Sequence, residues 1–227
     1  MRKTILCYGD SNTWGFAAEL QPADKSYMAR YPEEVRWTGV LQALLGEGCR
    51  VVEEGLNARV SVWNDVTWPD RNGLKYLRPC LNTHAPIDLV VLMLGTNDLK
   101  VRISGYVPDI ARAAGTLVKA IQSGNDGPQG RAPEVLLVSP VLVGEGLAQA
   151  APDIYEELGC ENARRASLLF AKYYRAVAEE CGCFFLDAAE YAQAGPADAL
   201  HLDAENHRKL GGAIAQKVRD ILENPRG

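Results

Sequence analysis

The stretch "DLVVLMLGTND", residues 88–98, joins an uninterrupted apolar run to a polar end and points to a buried strand. Its apolar part does not alternate with polar residues, which is typical of a strand that is covered on both faces. Similar apolar runs recur elsewhere in the chain, at 4–8, 49–54, 134–140 and 183–187. Together these runs predict five strands of one parallel sheet.

Between the runs, apolar residues recur at spacings of three and four, which predicts amphipathic helices. The four stripes are Trp37, Val40, Leu41, Leu44 and Leu45; Ile110, Ala114, Leu117, Val118 and Ile121; Ala166, Leu169, Phe170, Tyr173 and Val177; and Ile214, Val218, Ile221 and Leu222. Alternating strands and helices indicate right-handed crossovers with helices on both faces of the sheet. We predict a flavodoxin-like three-layer α/β/α fold with the strand order 2-1-3-4-5. Because no Pro/Gly/Ser linker divides the 227 residues, we expect one domain over 1–227.

The composition favours some function classes and excludes others. The net charge is −5 and there is no long basic run, so we expect no nucleic-acid partner. No stretch reaches the roughly 18 apolar residues of a membrane span, and "MRKTILCYGD" is too short in apolar residues for a signal peptide. We therefore expect a cytoplasmic protein with no membrane partner. Its six cysteines are expected to be reduced and structural.

Long connections follow the first, second and fourth predicted strands, at 12–32, 55–86 and 141–162. All three leave the carboxyl ends of strands, which is the edge where open α/β sheets bind ligands. Four polar motifs would meet at this edge: "GDS" (9–11), "EEGLN" (53–57), "GTND" (95–98) and "DALHL" (198–202). The sequence therefore predicts a functional site at this edge.

The residue types in these motifs fit a serine hydrolase, which needs a hydroxyl, a base and a group that orients the base. Ser11, His201 and Asp198 suit these three roles, and the step of three residues from Asp198 to His201 lets one turn carry both groups. The backbone N–H groups of Ser11 and Gly55 and the side-chain amide of Asn97 could hold the oxyanion. No "GxSxG" occurs, which excludes the nucleophile elbow of the α/β-hydrolases.

These motifs resemble those of the SGNH (GDSL-type) hydrolases, whose four blocks centre on Ser, Gly, Asn and an Asp-x-x-His pair. Ser11, Gly55, Asn97 and the pair Asp198 and His201 match the blocks in order, and the resemblance covers residues 5–222. "GDSNTWG", "EEGLNAR" and "LVVLMLGTND" are particularly similar to the arylesterase/acyltransferase branch. The resemblance implies a serine esterase that acts on short acyl esters through an acyl-enzyme, without a cofactor. It also implies water or an alcohol as the acyl acceptor, and a homo-oligomer.

Other residues near the motifs are expected to shape or support the site. Asn12, where the family has leucine, is expected to line the acyl pocket together with Trp14, Val141 and Leu202, although Trp14 could instead be core. Asp10 and Asp98 are expected to support the site without contacting the substrate. The side chain of Asp10 should point away from Ser11, and Asp98 should brace the loop that carries Asn97.

The remaining histidines are expected to be structural. His207 is the rival base, and His84 is expected in a loop or the core. No metal is expected, because Asp10, Asp198 and His201 lack a recognised ligand spacing.

Several alternatives stay open at this point. Within the family, an acetylated-carbohydrate esterase, a thioesterase or a lysophospholipase would use the same residues. A different class is a non-catalytic module that binds a nucleotide or phosphate on a flavodoxin-like sheet, since such sites also use strand-end loops and helix N-termini. The chain has neither "GxGxxG" nor "GxxxxGK[ST]", so this class is disfavoured.

Overall fold

A computed structural model of the chain describes residues 2–24 and 26–224, and its centre is a sheet of five parallel strands. The strands are β1 Lys3–Gly9, β2 Cys49–Gly55, β3 Leu89–Met93, β4 Glu134–Ser139 and β5 Phe184–Asp187. They pair in the order β2-β1-β3-β4-β5, and every pairing is parallel. The predicted strands and their order are confirmed.

Helices connect the strands and cover both faces of the sheet. They are α1 Ser11–Trp14, α2 Trp37–Leu45, α3 Gly73–His84, α4 Val107–Gln122, α5 Leu147–Ala150, α6 Pro152–Glu157, α7 Glu161–Ser167, α8 Phe170–Cys181 and α9 Ala204–Glu223. Helices α3, α4 and α8 pack on one face of the sheet, and α2 and α9 pack on the other. The predicted three-layer α/β/α architecture is therefore confirmed.

The alternation of side chains along β1 shows how the two cores form. Leu6 and Tyr8 enter the core under α3, α4 and α8, whereas Ile5 and Cys7 enter the core under α2 and α9. All four side chains are fully buried. Burying one large apolar side chain contributes about 1.5–3 kcal/mol, so this central strand stabilises both layers. It also fixes where the segment after Gly9 leaves the sheet.

One predicted stripe, from Ala166 to Val177, does not form a single helix. Helix α7 ends at Ser167 and α8 begins at Phe170, and the intervening Leu169 is 43% exposed. The buried Ser167 hydroxyl donates to the Arg164 carbonyl and accepts the N–H of Val143. Such a side-chain bond competes with the helical backbone pattern. The buried face of α8 consists of Phe170, Tyr174, Val177 and Ala178.

Two of the long connections contain helices that the sequence patterns did not predict. Helix α3 lies within 55–86, and α5 and α6 lie within 141–162. Helix α3 contains Pro79, which is normally unfavourable inside a helix. Its start is stabilised by Asn72, whose side chain accepts the N–H of Lys75. Capping and packing against the sheet therefore outweigh the proline.

Candidate active site

The sheet register brings three of the predicted site segments to one edge. Gly9, at the end of the central strand β1, pairs with Gly55 of β2 on one side and with Met93 of β3 on the other. Ser11 follows Gly9 by two residues, and Asn97 follows Met93 by four. The segments that carry Ser11, Gly55 and Asn97 therefore leave neighbouring strand ends.

Ser11 is the first residue of the short helix α1, and the turn around it is closely determined. The side chain of Asp10 caps this helix by accepting the backbone N–H of Asn12 at 3.0 Å. The helix ends at Gly15, whose φ of 89° lies in the left-handed region that glycine tolerates. The single turn from Asp10 to Gly15 therefore presents the Ser11 side chain at the strand end.

The imidazole of His201 lies between the side chains of Ser11 and Asp198. Its Nε2 is 2.8 Å from Ser11 Oγ, and its Nδ1 is 2.5 Å from Asp198 Oδ2. The other carboxylate oxygen of Asp198 accepts the N–H groups of Leu200 and His201 at 3.0 and 2.9 Å. One turn before α9 thus carries an acid and a base in contact with a hydroxyl, which is the arrangement of a Ser-His-Asp triad.

The electrostatics of Asp198 suit its place beside the imidazole. Burial by itself would raise the pKa of its carboxyl. The hydrogen bond with His201, the charge of that ring and the two backbone N–H groups outweigh burial, so the pKa lies below its usual range. An ionised Asp198 can hold Nδ1–H of His201 and stabilise the imidazolium once it forms.

Gly55 is required because β2 and the Ser11 segment approach each other closely. A Cβ at this position would lie 2.1 Å from the Trp14 backbone nitrogen and 2.5 Å from the Thr13 carbonyl carbon. Any other residue would push α1 away from the end of β2. The absence of a side chain at Gly55 therefore lets the end of β2 lie directly against α1.

Asn97 begins a 3₁₀ turn, Asn97–Leu99, shortly after β3. Within the part of the chain that the structure describes, its side-chain amide makes no hydrogen bond, so its N–H groups are available to a ligand. The next residue, Asp98, holds this turn because its Oδ1 accepts the N–H of Ser61 at 2.9 Å. The Asn97 amide therefore projects from a turn that is held in place by a buried carboxyl.

Asp10 and Asp98 are both buried carboxyl groups. Burial raises the pKa of Asp10 to about 6 and that of Asp98 to about 7. Each accepts a backbone N–H, from Asn12 and Ser61 respectively. Asp10 therefore orders the Ser11 turn, and Asp98 orders the Asn97 turn.

The residues expected to line the acyl pocket lie in two different environments. Trp14 is partly exposed, and the guanidinium carbon of Arg30 lies 5.0 Å from its ring centroid. Val141 and Leu202 are instead buried in the core that α2 and α9 form with the sheet. Both residues also border a small closed gap beside Asn12, and their role in lining the acyl pocket stays a prediction.

Asn12, which is also expected in the acyl pocket, makes hydrogen bonds that connect two parts of the site. The residue is 3% exposed, and both ends of its side-chain amide contact backbone atoms. Oδ1 accepts the N–H of Leu202 at 2.9 Å, and Nδ2 lies 3.5 Å from the carbonyl oxygen of Leu200. Asn12 therefore joins the Ser11 turn to the His201 turn.

His207 does not compete with His201 for the role of base. It is fully buried in α9, where its Nδ1 accepts the N–H of Trp37 at 3.2 Å. Burial lowers the pKa of His207 to about 3. Its imidazole is therefore a neutral part of the contact between α9 and α2, as the sequence predicted for a structural histidine.

A second group of polar side chains lies between β2 and α3, at Glu54, Cys80 and His84. Their potential metal-ligating atoms lie within 4.8 Å of one another. However, His84 Nε2 is only 2.7 Å from Glu54 Oε1. Two such atoms on one tetrahedral zinc would be about 3.3 Å apart, given metal–ligand bonds of about 2.0 Å. The distance fits a direct hydrogen bond, so we interpret the pair as a link between α3 and β2.

Two further residues support the site without having been predicted. The Phe16 ring lies 4.3 Å from the His201 ring, centroid to centroid, and covers one face of the imidazole. Arg59 donates to the carbonyl oxygens of Gly9 and Glu54, and it lies over the Tyr8 ring. Arg59 thus ties together the ends of β1 and β2. Arg59 ends the motif "EEGLNAR" and Phe16 directly follows "GDSNTWG", but only the path of the backbone reveals what they contact.

The comparisons with known proteins agree with this geometry. Residues 7–209 match the model of the GDSL-like lipase/acylhydrolase family. Est24, a carbohydrate acetylesterase from Sinorhizobium meliloti, is 35% identical, with a TM-score of 0.89 over 97% of this chain and 100% of that chain. An aryl esterase from M. smegmatis is 37% identical, with a TM-score of 0.87 over 96% and 99% of the two chains. No curated protein sequence matches the chain.

The family match covers most of the chain, and it includes every residue of the Ser11, His201 and Asp198 group. It confirms the resemblance drawn from the motifs. The family assignment therefore takes the place of the alternative that the chain is a non-catalytic nucleotide-binding module. Among the helices of the described residues, none has the length and apolarity to cross a bilayer. The chain belongs to the GDSL-like lipase/acylhydrolase family and is a carboxylic ester hydrolase.

Proposed function

We propose that Ser11, His201 and Asp198 are the catalytic residues and that the enzyme hydrolyses short-chain acyl esters through an acyl-enzyme. The observation that carries this proposal is the continuous chain of hydrogen bonds from Ser11 Oγ through His201 to Asp198. In this chain the imidazole can accept the proton of the hydroxyl, and the carboxylate orients the imidazole, as nucleophilic acyl transfer requires.

In the first step, His201 Nε2 takes the proton of Ser11 as Oγ attacks the ester carbonyl carbon. The carbonyl oxygen becomes an oxyanion, which accepts hydrogen bonds from the N–H of Ser11, the N–H of Gly55 and the side-chain amide of Asn97. The tetrahedral intermediate then breaks its bond to the leaving oxygen. His201 gives its proton to that oxygen, the alcohol departs and the acyl group remains on Ser11.

In the second step, a water molecule attacks the acyl carbon and transfers a proton to His201. Collapse of the second tetrahedral intermediate releases the carboxylic acid and returns the proton to Ser11 Oγ. An alcohol in place of water would give a new ester by the same route. Asp198 stays ionised throughout and stabilises the imidazolium in both halves of the reaction.

A small acyl group, above all acetyl, suits this site best. Ser11 and His201 are each only 8% exposed, so access to the reacting atoms is narrow. Val141 and Leu202 lie in closed core, so neither opens a long apolar channel for an acyl chain. Trp14, which is partly exposed two residues from Asn12, is expected to limit the length of the acyl group. An acetyl ester of a carbohydrate is the favoured natural substrate, since Est24 is a carbohydrate acetylesterase and an acetyl group is small. Thioesters and lysophospholipids are less favoured as substrates.

Homo-oligomerisation and a cytoplasmic location stay predictions.

A chain-length series of p-nitrophenyl esters tests this function. We expect kcat/KM to be highest for acetate to butyrate and to fall towards octanoate, and Ser11→Ala to abolish turnover of every ester. Adding a primary alcohol should divert part of the acyl group into a new ester. A maximum at octanoate would contradict the short-acyl assignment, and turnover by the Ser11→Ala variant would contradict the nucleophile.

A further inference from the structure

We propose that Asn12 is a positioning residue that holds Ser11 and His201 at hydrogen-bonding distance for the reaction. The inference rests on the proposed function, because it assigns a role within the same catalytic group. It concerns the residue at which this chain departs from the leucine of the GDSL pattern. The buried amide of Asn12 connects two turns that lie far apart in the sequence.

The two hydrogen bonds of Asn12 hold the main chain on both sides of His201. Its Oδ1 accepts the N–H of Leu202 at 2.9 Å, and its Nδ2 lies 3.5 Å from the carbonyl oxygen of Leu200. Asn12 directly follows Ser11 in the chain, so one peptide unit separates the nucleophile from this contact. A shift of Asn12 would therefore change the distance between Oγ of Ser11 and Nε2 of His201.

The other hydrogen bonds of the His201 backbone stay within its own loop. Its N–H donates to Asp198 Oδ1 at 2.9 Å, and its carbonyl oxygen accepts the N–H of Gly195 at 2.7 Å. These bonds shape the loop but do not connect it to Ser11. Over residues 2–24 and 26–224, the α1 segment is hydrogen-bonded to the His201 loop only through Asn12 and through Ser11 itself.

Only an amide side chain satisfies both backbone partners. The N–H of Leu202 must meet an acceptor and the carbonyl oxygen of Leu200 must meet a donor, and one Asn side chain provides both on a single plane. Leucine provides neither. Aspartate can accept from Leu202, but it cannot donate to Leu200 and it adds a negative charge close to His201.

The matched control is Asn72, which is also buried and also bridges two backbone groups. Its Oδ1 accepts the N–H of Lys75 at 3.1 Å, and its Nδ2 donates to the carbonyl oxygen of Val62 at 2.6 Å. Neither partner belongs to the catalytic group. An Asn72→Leu variant therefore removes a comparable pair of hydrogen bonds, and a further one from Nδ2 to Asn64 Oδ1 at 3.1 Å, without changing the contact between Ser11 and His201.

The test measures the rate at which a fluorophosphonate labels Ser11, together with kcat and KM for p-nitrophenyl acetate and the melting temperature. For Asn12→Leu we expect labelling and kcat to fall roughly 10- to 100-fold with KM nearly unchanged, as misplacing a reacting pair does. Asn72→Leu should keep both rates even where it lowers the melting temperature. Asn12→Asp should give an intermediate rate and raise the apparent pKa of the acid limb of kcat/KM, because its charge favours the imidazolium.

The outcomes separate this inference from the proposed function. If wild-type enzyme is not labelled at Ser11, the proposed function itself is wrong. If wild type is labelled and Asn12→Leu reacts at the same rate, the positioning role of Asn12 is wrong. It is equally wrong if Asn72→Leu slows labelling as much as Asn12→Leu, because the effect then reflects general destabilisation. Should Asn12→Leu not fold, an unchanged rate and pH profile in Asn12→Asp would overturn the inference.

Discussion

Nε2 of His201 lies 2.8 Å from Oγ of Ser11, although 190 residues separate the two in the sequence. The contact arises because Ser11 leaves the central strand β1 at the sheet edge to which the loop before α9 returns. The distance is already that of a hydrogen bond, so proton transfer between the two requires no rearrangement of the backbone.

Asp198→Asn should keep the shape of the turn but lose most of the activity. The amide can present its NH₂ to Nδ1 of His201 and favour the wrong tautomer of the imidazole, so we expect kcat to fall by roughly 10⁴-fold. Steady-state kinetics with p-nitrophenyl acetate measures this effect. Asp203→Asn is a suitable control, because Asp203 caps α9 and asparagine caps equally well. A loss of less than tenfold in Asp198→Asn would show that another group orients His201.

Asn97→Ala removes the side-chain donor assigned to the oxyanion. The expected loss in kcat is roughly 10²–10³-fold, because the donor acts on charge that develops only in the transition state. KM should change little. A change confined to KM would instead place Asn97 in substrate binding.

Asp98→Asn should change how stability depends on pH. Burial raises the pKa of Asp98 to about 7 in the folded chain, against an ordinary value near 4. Between these values the folded chain holds a proton that the unfolded chain releases, so Asp98 makes the wild type less stable as pH rises. The variant lacks this titrating group. The free energy of unfolding of the variant minus that of the wild type should therefore be larger at pH 8 than at pH 5. Denaturant titrations at the two pH values measure the difference, and a constant difference would contradict the raised pKa.

His207→Asn should change how the free energy of unfolding depends on pH below about 6.5. The pKa of His207 is about 3 in the folded chain, below the ordinary value near 6.5, because the ring is buried. As pH falls from about 6.5 towards 3, the unfolded chain binds a proton that the folded chain does not, and stability falls by about 1.4 kcal/mol per pH unit. Asparagine keeps an acceptor for the N–H of Trp37 but does not titrate. The variant should therefore show a shallower slope over this range, and an equal slope would contradict the assignment.

The fold could be predicted from the sequence because the central strands β1, β3 and β4 are covered on both faces. That burial requires an apolar residue at nearly every position of "DLVVLML", and similar apolar runs mark β1 and β4. The pair Asp198 and His201 could be predicted for a different reason, since both side chains lie in one local turn. Spacing alone is enough for such a contact.

What the sequence did not reveal depends on where the backbone passes in space. The motifs predict that Ser11 meets His201, but they do not indicate that the Asn12 side chain bonds to the main chain on both sides of His201. Helix α3 was missed because Pro79 suggests an interruption, whereas capping and packing maintain the helix. The break after Ser167 was missed because a periodic apolar pattern does not show that a hydroxyl will bind a distant N–H.

The central claim is that Ser11 is the nucleophile, and mass spectrometry of the enzyme after fluorophosphonate treatment tests it most directly. We predict one adduct per chain, located on Ser11. We also predict that Ser11→Ala takes up no label and does not hydrolyse p-nitrophenyl acetate, while its circular dichroism spectrum matches that of the wild type. An adduct on another residue, or ester hydrolysis by folded Ser11→Ala protein, would contradict the account.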